Sequence, residues 1–252
     1  MTEFRFPRPE DREAIIGLWE EAFGDSREFV EGFLASGYAP ERCRVALESG
    51  KLLGMLFWFR CARENEPFAY IYAVATAASA RGKGICTDLM EDTHRILAEQ
   101  GYAGAVLCPG EPSLFRFYEK RGYSPLGTAT EALVKAHGSL SAEVADADSY
   151  GAKRAALFPA GGVAQEGENL AFLAIFSQFL IGTSFAAAVS RDHRRVLEFV
   201  GDPAFLPGLV AHLGQKEAPA RYPGEGRILT MVRMFHGKPL PCPFYFGLPF
   251  DS

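Results

Sequence analysis

Apolar residues in the first half of the chain recur at helical spacing in some stretches and alternate, or run together, in the segments between them. Ile15, Leu18, Trp19 and Phe23 predict a helix over residues 11–23, entered from a short strand at 4–6 that Pro7 and Pro9 end. Ser26 is suited to cap a second helix, with Phe29, Val30, Phe33 and Leu34 inward and Gly37 at its end. Residues 44–47 and 52–60 read as a hairpin around Ser49 and Gly50, and 68–75 as a further strand. A helix over 84–100 carries Ile85, Leu89, Ile96 and Leu97 on one face and stops at Gly101. A strand at 104–108, a short helix at 112–121 between Pro112 and Gly122, and a strand at 128–136 follow. A hairpin feeding a β-α-β unit, with helices ahead of it, is an α/β domain.

Residues 137–148, rich in small and acidic side chains, read as a linker. Beyond it come a helix at 150–158, a glycine-rich loop at 160–162 and an uncharged stretch at 170–189. Ser177, Gln178, Gly182, Thr183 and Ser184 interrupt that stretch, so it is read as a buried helix, a turn at 182–184 and a strand, and not as a membrane span. A strand at 185–189, a charged turn at 190–195, a strand at 196–200, a helix at 203–213 and strands at 228–235 and 244–248 complete the chain. The order hairpin, helix, strand, strand resembles that of the first half although the residues do not match. A diverged duplication would divide the chain into 1–137 and a smaller α/β domain at 138–252.

With 252 residues, 48% hydrophobic and 23% charged, the chain is neither disordered nor fibrous. A formal net charge of -5 supplies no overall field for nucleic acid or anionic membranes, so neither is expected as a partner. Cys43, Cys61, Cys86, Cys108 and Cys242 form no C-x-x-C pair, and the charged N-terminus has no apolar signal region. A reducing, cytoplasmic setting is therefore expected. His94, His137, His193, His212 and His236 have no metal-ligand spacing, and no metal is expected. No G-x-S-x-G elbow occurs. The run Arg191 to Arg195 is read most simply as a solvated hairpin turn.

The chemistry concentrates at residues 68–123. The strand there runs into Arg81-Gly82-Lys83-Gly84-Ile85-Cys86-Thr87 and then directly into a helix. A glycine-rich turn at a helix start aims unpaired N–H groups at one point, where the helix dipole favours an anion. The P-loop pattern is missing, and Thr87 stands where the dinucleotide fingerprint requires glycine. Cys86, at the helix start, could have a lowered pKa, although a small packing residue is the simpler reading.

The segment matches R-x-x-G-x-[GA] except at Cys86. In this it resembles the GCN5-related N-acetyltransferase (GNAT) superfamily. The opening Arg5-Phe6-Pro7-Arg8-Pro9-Glu10-Asp11 with its following helix, and Leu114-Phe115-Arg116-Phe117-Tyr118-Glu119-Lys120-Arg121-Gly122-Tyr123, resemble two further family segments in the same order. The resemblance implies the GNAT fold, a mixed α/β sheet. It implies that Arg81, Gly82, Lys83, Gly84, Ile85, Cys86 and Thr87 grip the pyrophosphate of acetyl-coenzyme A, with backbone groups of Val74, Ala75 and Thr76 on its pantetheine arm. It also implies transfer of an acetyl group to a primary amine, with Tyr118 as general acid; spacing alone would make Tyr118 a core residue. The second half resembles a degenerate partner of the same fold, since Gly201-Asp202-Pro203-Ala204 follows its corresponding strand.

No residue is placed as a covalent nucleophile, so direct transfer in a ternary complex is expected. Glu111 stands where many members carry an asparagine for the pantetheine, and is read as a helix cap instead. No base is evident: Tyr70-Ile71-Tyr72 replaces the usual glutamate, leaving Glu64, Glu66, the carboxylate of Ser252 or a water chain. A non-catalytic acyl-coenzyme A-binding module is the alternative.

Overall fold

The computed structural model describes residues 1–237, 240 and 243–247. In the first half the local signals become elements almost as read. After β1 (Glu3–Arg5) a single 3-10 turn leads into α1 (Arg12–Phe23), which buries Ile15, Ile16, Leu18 and Trp19. Ser26 caps α2 (Arg27–Ser36) by accepting the Phe29 N–H at 3.2 Å. β2 (Cys43–Glu48) and β3 (Lys51–Arg63) form the hairpin, turning through positive φ at Ser49 and Gly50. β4 (Glu66–Thr76), α3 (Ile85–Glu99) and β5 (Gly104–Leu107) make the β-α-β unit, followed by α4 (Pro112–Glu119) and β6 (Ser124–Lys135). The buried Arg44 guanidinium of β2 is paired with Asp92 of α3 and donates to the Phe4 carbonyl at 3.1 Å, fastening three elements together.

The second half departs from its reading in three places. The expected linker contains β7 (Glu143–Ala145) and runs into α5 (Ala147–Leu157). β7 was hidden because a three-residue strand has too few positions to show a period. After β8 (Ala164–Gln165), the uncharged stretch holds only the six-residue helix α6 (Glu168–Leu173). It continues as β9 (Ser177–Ile181), not as helix, because Ser177 Oγ donates to the Leu173 carbonyl at 2.6 Å and pairing with β7 and β10 takes over. β10 (Phe185–Ser190), β11 (Val196–Gly201) and α7 (Leu206–His212) then agree with expectation.

The last long strand, β12 (Glu217–Met234), begins well before its predicted start. Pro223, Gly224 and Gly226 break its apolar pattern, yet it pairs with β6 on both sides of a bulge between Tyr222 and Arg227. β13 (Phe244–Tyr245) pairs with β6, whereas Cys242, Leu248 and Ser252 lie outside the described residues.

All thirteen strands of the described residues join one sheet, whose main path runs β1-β2-β3-β4-β5-β12-β11-β10-β9-β7. β2, β3 and β4 form an antiparallel meander, α3 crosses over, and β5 is parallel to β4. The same order recurs as the meander β9, β10, β11, the crossover α7 and a parallel β12. Trp19, Phe33, Phe57, Phe59, Tyr72 and Phe172 pack ring on ring where α1, α2 and α6 meet the sheet. Among the described residues no helix is long and apolar enough to cross a membrane.

Candidate active site

A wedge opens in the middle of the sheet. Parallel pairing of β4 and β5 covers Phe68 with Gly104, Ala69 with Ala105 and Tyr70 with Val106, and then ends. β4 nevertheless continues to Thr76 on the arm of β3, where Ala75 pairs with Met55 and Thr76 with Gly54. β5 turns the other way, held by β12 through the pair Leu107 and Met231. The divergence begins at a bulge: Ala73 and Val74 together oppose Leu56, and Ala73 takes φ 48. A left-handed alanine costs about 1–3 kcal/mol, so surrounding pairing must hold it there. Beyond Tyr70 the β5-facing edge of β4 has no strand partner among the described residues, so no strand covers that side of Val74 to Thr76, where the Thr76 carbonyl is met by the Arg81 side chain.

The open end of β4 leads straight to the glycine loop. Ala77 N–H bonds to Leu53 and the turn Ala78–Ala80 closes on itself, with Glu21 of α1 accepting the Ala78 N–H at 2.7 Å. Gly82 and Gly84 take φ 76 and 84, a region that disfavours any side chain. A Cβ at Gly82 would meet open space, so the loop leaves room above its backbone. Gly84 is the N-cap of α3 and supplies no side-chain cap, leaving the N–H groups of Ile85, Cys86 and Thr87 directed outward. The first intrahelical bond runs from Asp88 N–H to the Gly84 carbonyl at 3.0 Å. Arg81 and Lys83 are exposed beside this turn, and Arg81 Nε donates to the Thr76 carbonyl at 3.2 Å.

A further cation was not legible in the sequence. Arg121, just past α4, stacks over the Phe117 ring, donates to the Phe117 carbonyl at 2.6 Å and bonds to Thr87 Oγ1. Three basic side chains therefore surround a positive helix end, with Asp88 of the first turn as partial offset. The arrangement suits a phosphate-bearing ligand. Only the R-G turn itself signalled a position after a helix; its reach back to Thr87 comes from packing.

Cys86 is half-buried between Thr76 and Arg121. Burial raises its thiol despite those neighbours, which agrees with a packing residue and not with an activated thiolate. Tyr118 lies on α4, buried, with its ring against Phe117 and Tyr123. Glu111 is at the N-cap of α4 but makes no capping bond; it accepts the Ser113 hydroxyl at 3.2 Å, so the expected cap is not formed. Glu64 and Glu66 sit at the β3–β4 turn, at the closed end of the wedge and roughly 30 Å of strand from Thr76. That position removes both as bases. Tyr70 and Tyr72 are buried among aromatic rings, and Ser252 lies outside the described residues. No group of three or more His, Cys, Asp or Glu placed to hold a metal occurs among the described residues.

Residues 3–126 match the family model of the acetyltransferase (GNAT) domain. No curated protein matches the chain in sequence. A GCN5-related N-acetyltransferase from Anabaena variabilis is 18% identical, with 94% of this chain and 73% of that one covered at a TM-score of 0.69. Eis1 from Mycobacterium abscessus is 16% identical over 93% of this chain and 73% of its own, with a TM-score of 0.71. An acetyltransferase-like structure from Pyrococcus horikoshii is 15% identical, covering 99% and 95% at 0.65. At these identities the likeness is one of fold, and it extends over both halves of the chain. Sequence and fold agree over residues 3–126, and that part of the chain is therefore an acetyltransferase domain of the GNAT family.

Proposed function

We propose that the protein moves the acetyl group of acetyl-coenzyme A directly to a primary amine. The observation that carries this reading is the conjunction of the β4–β5 wedge with the open helix start at its mouth. In this reading Arg81 to Thr87 hold the pyrophosphate, and the β5-facing edge of β4 at Val74, Ala75 and Thr76 holds the pantetheine arm and polarises the thioester oxygen. An amine with pKa near 10.4 costs roughly 4.6 kcal/mol to deprotonate at pH 7, and a water relay is the proposed base. The amine nitrogen forms the new bond to the acetyl carbon as the carbon–sulfur bond breaks. Tyr118 then gives its proton to the leaving thiolate.

The second half is proposed as a degenerate GNAT-like accessory domain, with the boundary near residue 137. Its matching helix start supports this: Asp202 occupies the site with its own carboxylate, accepting the Ala204 N–H at 2.9 Å, so no anion is needed there.

The test is calorimetric titration with acetyl-coenzyme A. Arg81→Glu/Gly84→Glu is expected to weaken binding at least about 100-fold, since removing each charge-assisted hydrogen bond costs about 1.5–3 kcal/mol. No binding to the wild type would end the enzyme reading. Tyr118→Phe is expected to lower kcat about 100-fold while leaving cofactor affinity within about twofold. An unchanged kcat would remove the general-acid role. The aromatic burial of Tyr70 and Tyr72, where a base is usual, favours a non-catalytic coenzyme A-binding module as second reading. Thiol release dependent on an added amine separates the two.

A further inference from the structure

The proline-rich connection into α1 faces the end of α2 across a cavity of about 280 Å³. Ile15 of α1 and Leu34 of α2 give it an apolar wall, and Pro7, Pro9 and Pro40 stand around it. Tyr38, just past α2 and four residues after Leu34, also lines it. A proline ring fixes φ, so this surface is ordered before anything binds and loses little conformational entropy on contact. The connection is also tied down. Arg5 donates to both oxygens of Asp11, at 2.6 and 2.9 Å, and the Arg8 backbone N–H donates to one of them at 2.6 Å. The volume is slightly below the usual range for ligand pockets, about 300–1,000 Å³, which points to a small molecule.

The charge of the cavity is one-sided. Arg8 and Arg12 are exposed and line it, and no acid does. Among the described residues no carboxylate forms an ion pair with either of them. The neighbouring acids are engaged elsewhere, Asp11 by Arg5 and Glu13 by Arg27 at 2.8 Å. The charge of Arg8 is only a minor influence on the Asp11 carboxyl. Glu10 and Glu41 are exposed and form no part of the wall. Two like charges at one small opening repel, and an anion between them replaces that repulsion with charge-assisted hydrogen bonds to planar forks suited to a carboxylate. Burial first, and then Cys43, Asp11 and Glu41, push the Tyr38 hydroxyl above its ordinary value despite Arg12. It therefore keeps its proton at neutral pH and is a further donor.

The cavity is separate from the wedge. Arg12 begins α1, whereas Glu21, which accepts the Ala78 N–H beside the glycine loop, lies nine residues and roughly 14 Å further along the same helix.

We propose that this cavity is a second ligand site and takes a small organic acid, with its carboxylate between Arg8 and Arg12 and its apolar body against Ile15, Leu34 and the prolines. The two arginines disfavour a cationic ligand, and the apolar wall disfavours a bare inorganic anion. The site stands independently of the acetyltransferase reading.

The experiment is calorimetric titration of the full chain with 3-phenylpropionate, its neutral amide and acetate. The wild type is expected to bind 3-phenylpropionate at least about tenfold more tightly than either, because the amide lacks the charge and acetate lacks the ring. Arg8→Ala/Arg12→Ala changes exposed side chains only and is expected to bring the acid down to the affinity of the amide. Arg81→Glu/Gly84→Glu should leave the preference intact. No binding of the acid, equal binding of acid and amide, or a preference that survives the Arg8 and Arg12 changes each overturns the proposal. So does acetate binding as tightly as the acid, which would mean an adventitious ion only. Loss of the preference in the glycine-loop variant would place the probe in the wedge and overturn it too. Self-association of the wild type that Arg8→Ala/Arg12→Ala removes, with no acid bound, would assign the groove to a second copy instead. Acid binding without any acetyl-coenzyme A binding would keep this site and end only the enzyme reading.

Discussion

Glu198→Gln is expected to lower the stability of the protein by about 3–5 kcal/mol, the usual consequence of leaving one partner of a buried ion pair alone. Glu198 is fully buried on β11 and is the acceptor for everything around it. Arg154 of α5 donates to it at 2.5 and 2.9 Å, Tyr150 at 2.6 Å and Tyr245 at 3.0 Å. Burial opposes the charge on Arg154, but Glu198 beside it more than compensates and raises the guanidinium above its ordinary value. Arg154 also donates to the Gln165 backbone and side chain, so α5, β8, β11 and β13 converge on one buried ion pair. Glutamine keeps the volume and removes the charge, which leaves the arginine uncompensated. Urea unfolding measures the loss. The control is Arg154→Met/Glu198→Leu, which should be milder than Glu198→Gln because no buried charge remains. Recovery should be partial, since Tyr150 and Tyr245 would still lack their carboxylate acceptor and Gln165 its arginine donor. A double variant weaker than the single would refute the charge argument.

Acid should destabilise the protein through His94 by on the order of 4–5 kcal/mol in full. His94 of α3 is buried, with Nε2 at 2.8 Å from the Tyr123 hydroxyl and Nδ1 at 2.8 Å from Arg233. A guanidinium only donates, so Nδ1 accepts and the neutral ring carries its proton on Nε2. Burial first, and then the charge of Arg233, push its pKa down to about 3, with Glu91 opposing weakly. The unfolded chain takes up that proton near pH 6.5 and the folded chain does not. The unfolded state therefore binds more protons between 6.5 and about 3, and stability falls as pH drops through that window. Denaturation at pH 7, 6, 5 and 4 should show the fall in wild type and a flatter profile in His94→Gln. Parallel profiles would assign the acid sensitivity to carboxylates instead.

His94 and Arg154 show the limit of a linear reading. His94 is legible as a helix position, and as a lone histidine with no metal partner, but its bond to Arg233 spans 139 residues. Arg154 reads as an ordinary cation in an amphipathic helix, and nothing nearby in sequence announces Glu198. Arg121 carries no local sign of reaching Thr87. Each of these contacts is made by side chains from separate elements, and period, capping and turn chemistry act only over a few residues.

The sequence by itself determined the elements of the first half and the glycine loop at 81–87. Helical period, Ser26, Pro112 and the glycines are local signals, and local backbone preference suffices to place them. It also exposed the family, because three short segments keep their order and spacing. Tertiary structure alone decided the early start of β12, the continuation of one sheet through both halves and the wedge at Ala73. Strand pairing stabilises backbone that Pro223 and the nearby glycines would otherwise leave as loop, and a bulge exists only against a partner strand. It alone brought Arg195, Arg221 and Arg227 onto Glu131. Summed over the chain the charge is -5, yet folding gathers three arginines around one carboxylate, because the sheet fixes which distant residues become neighbours.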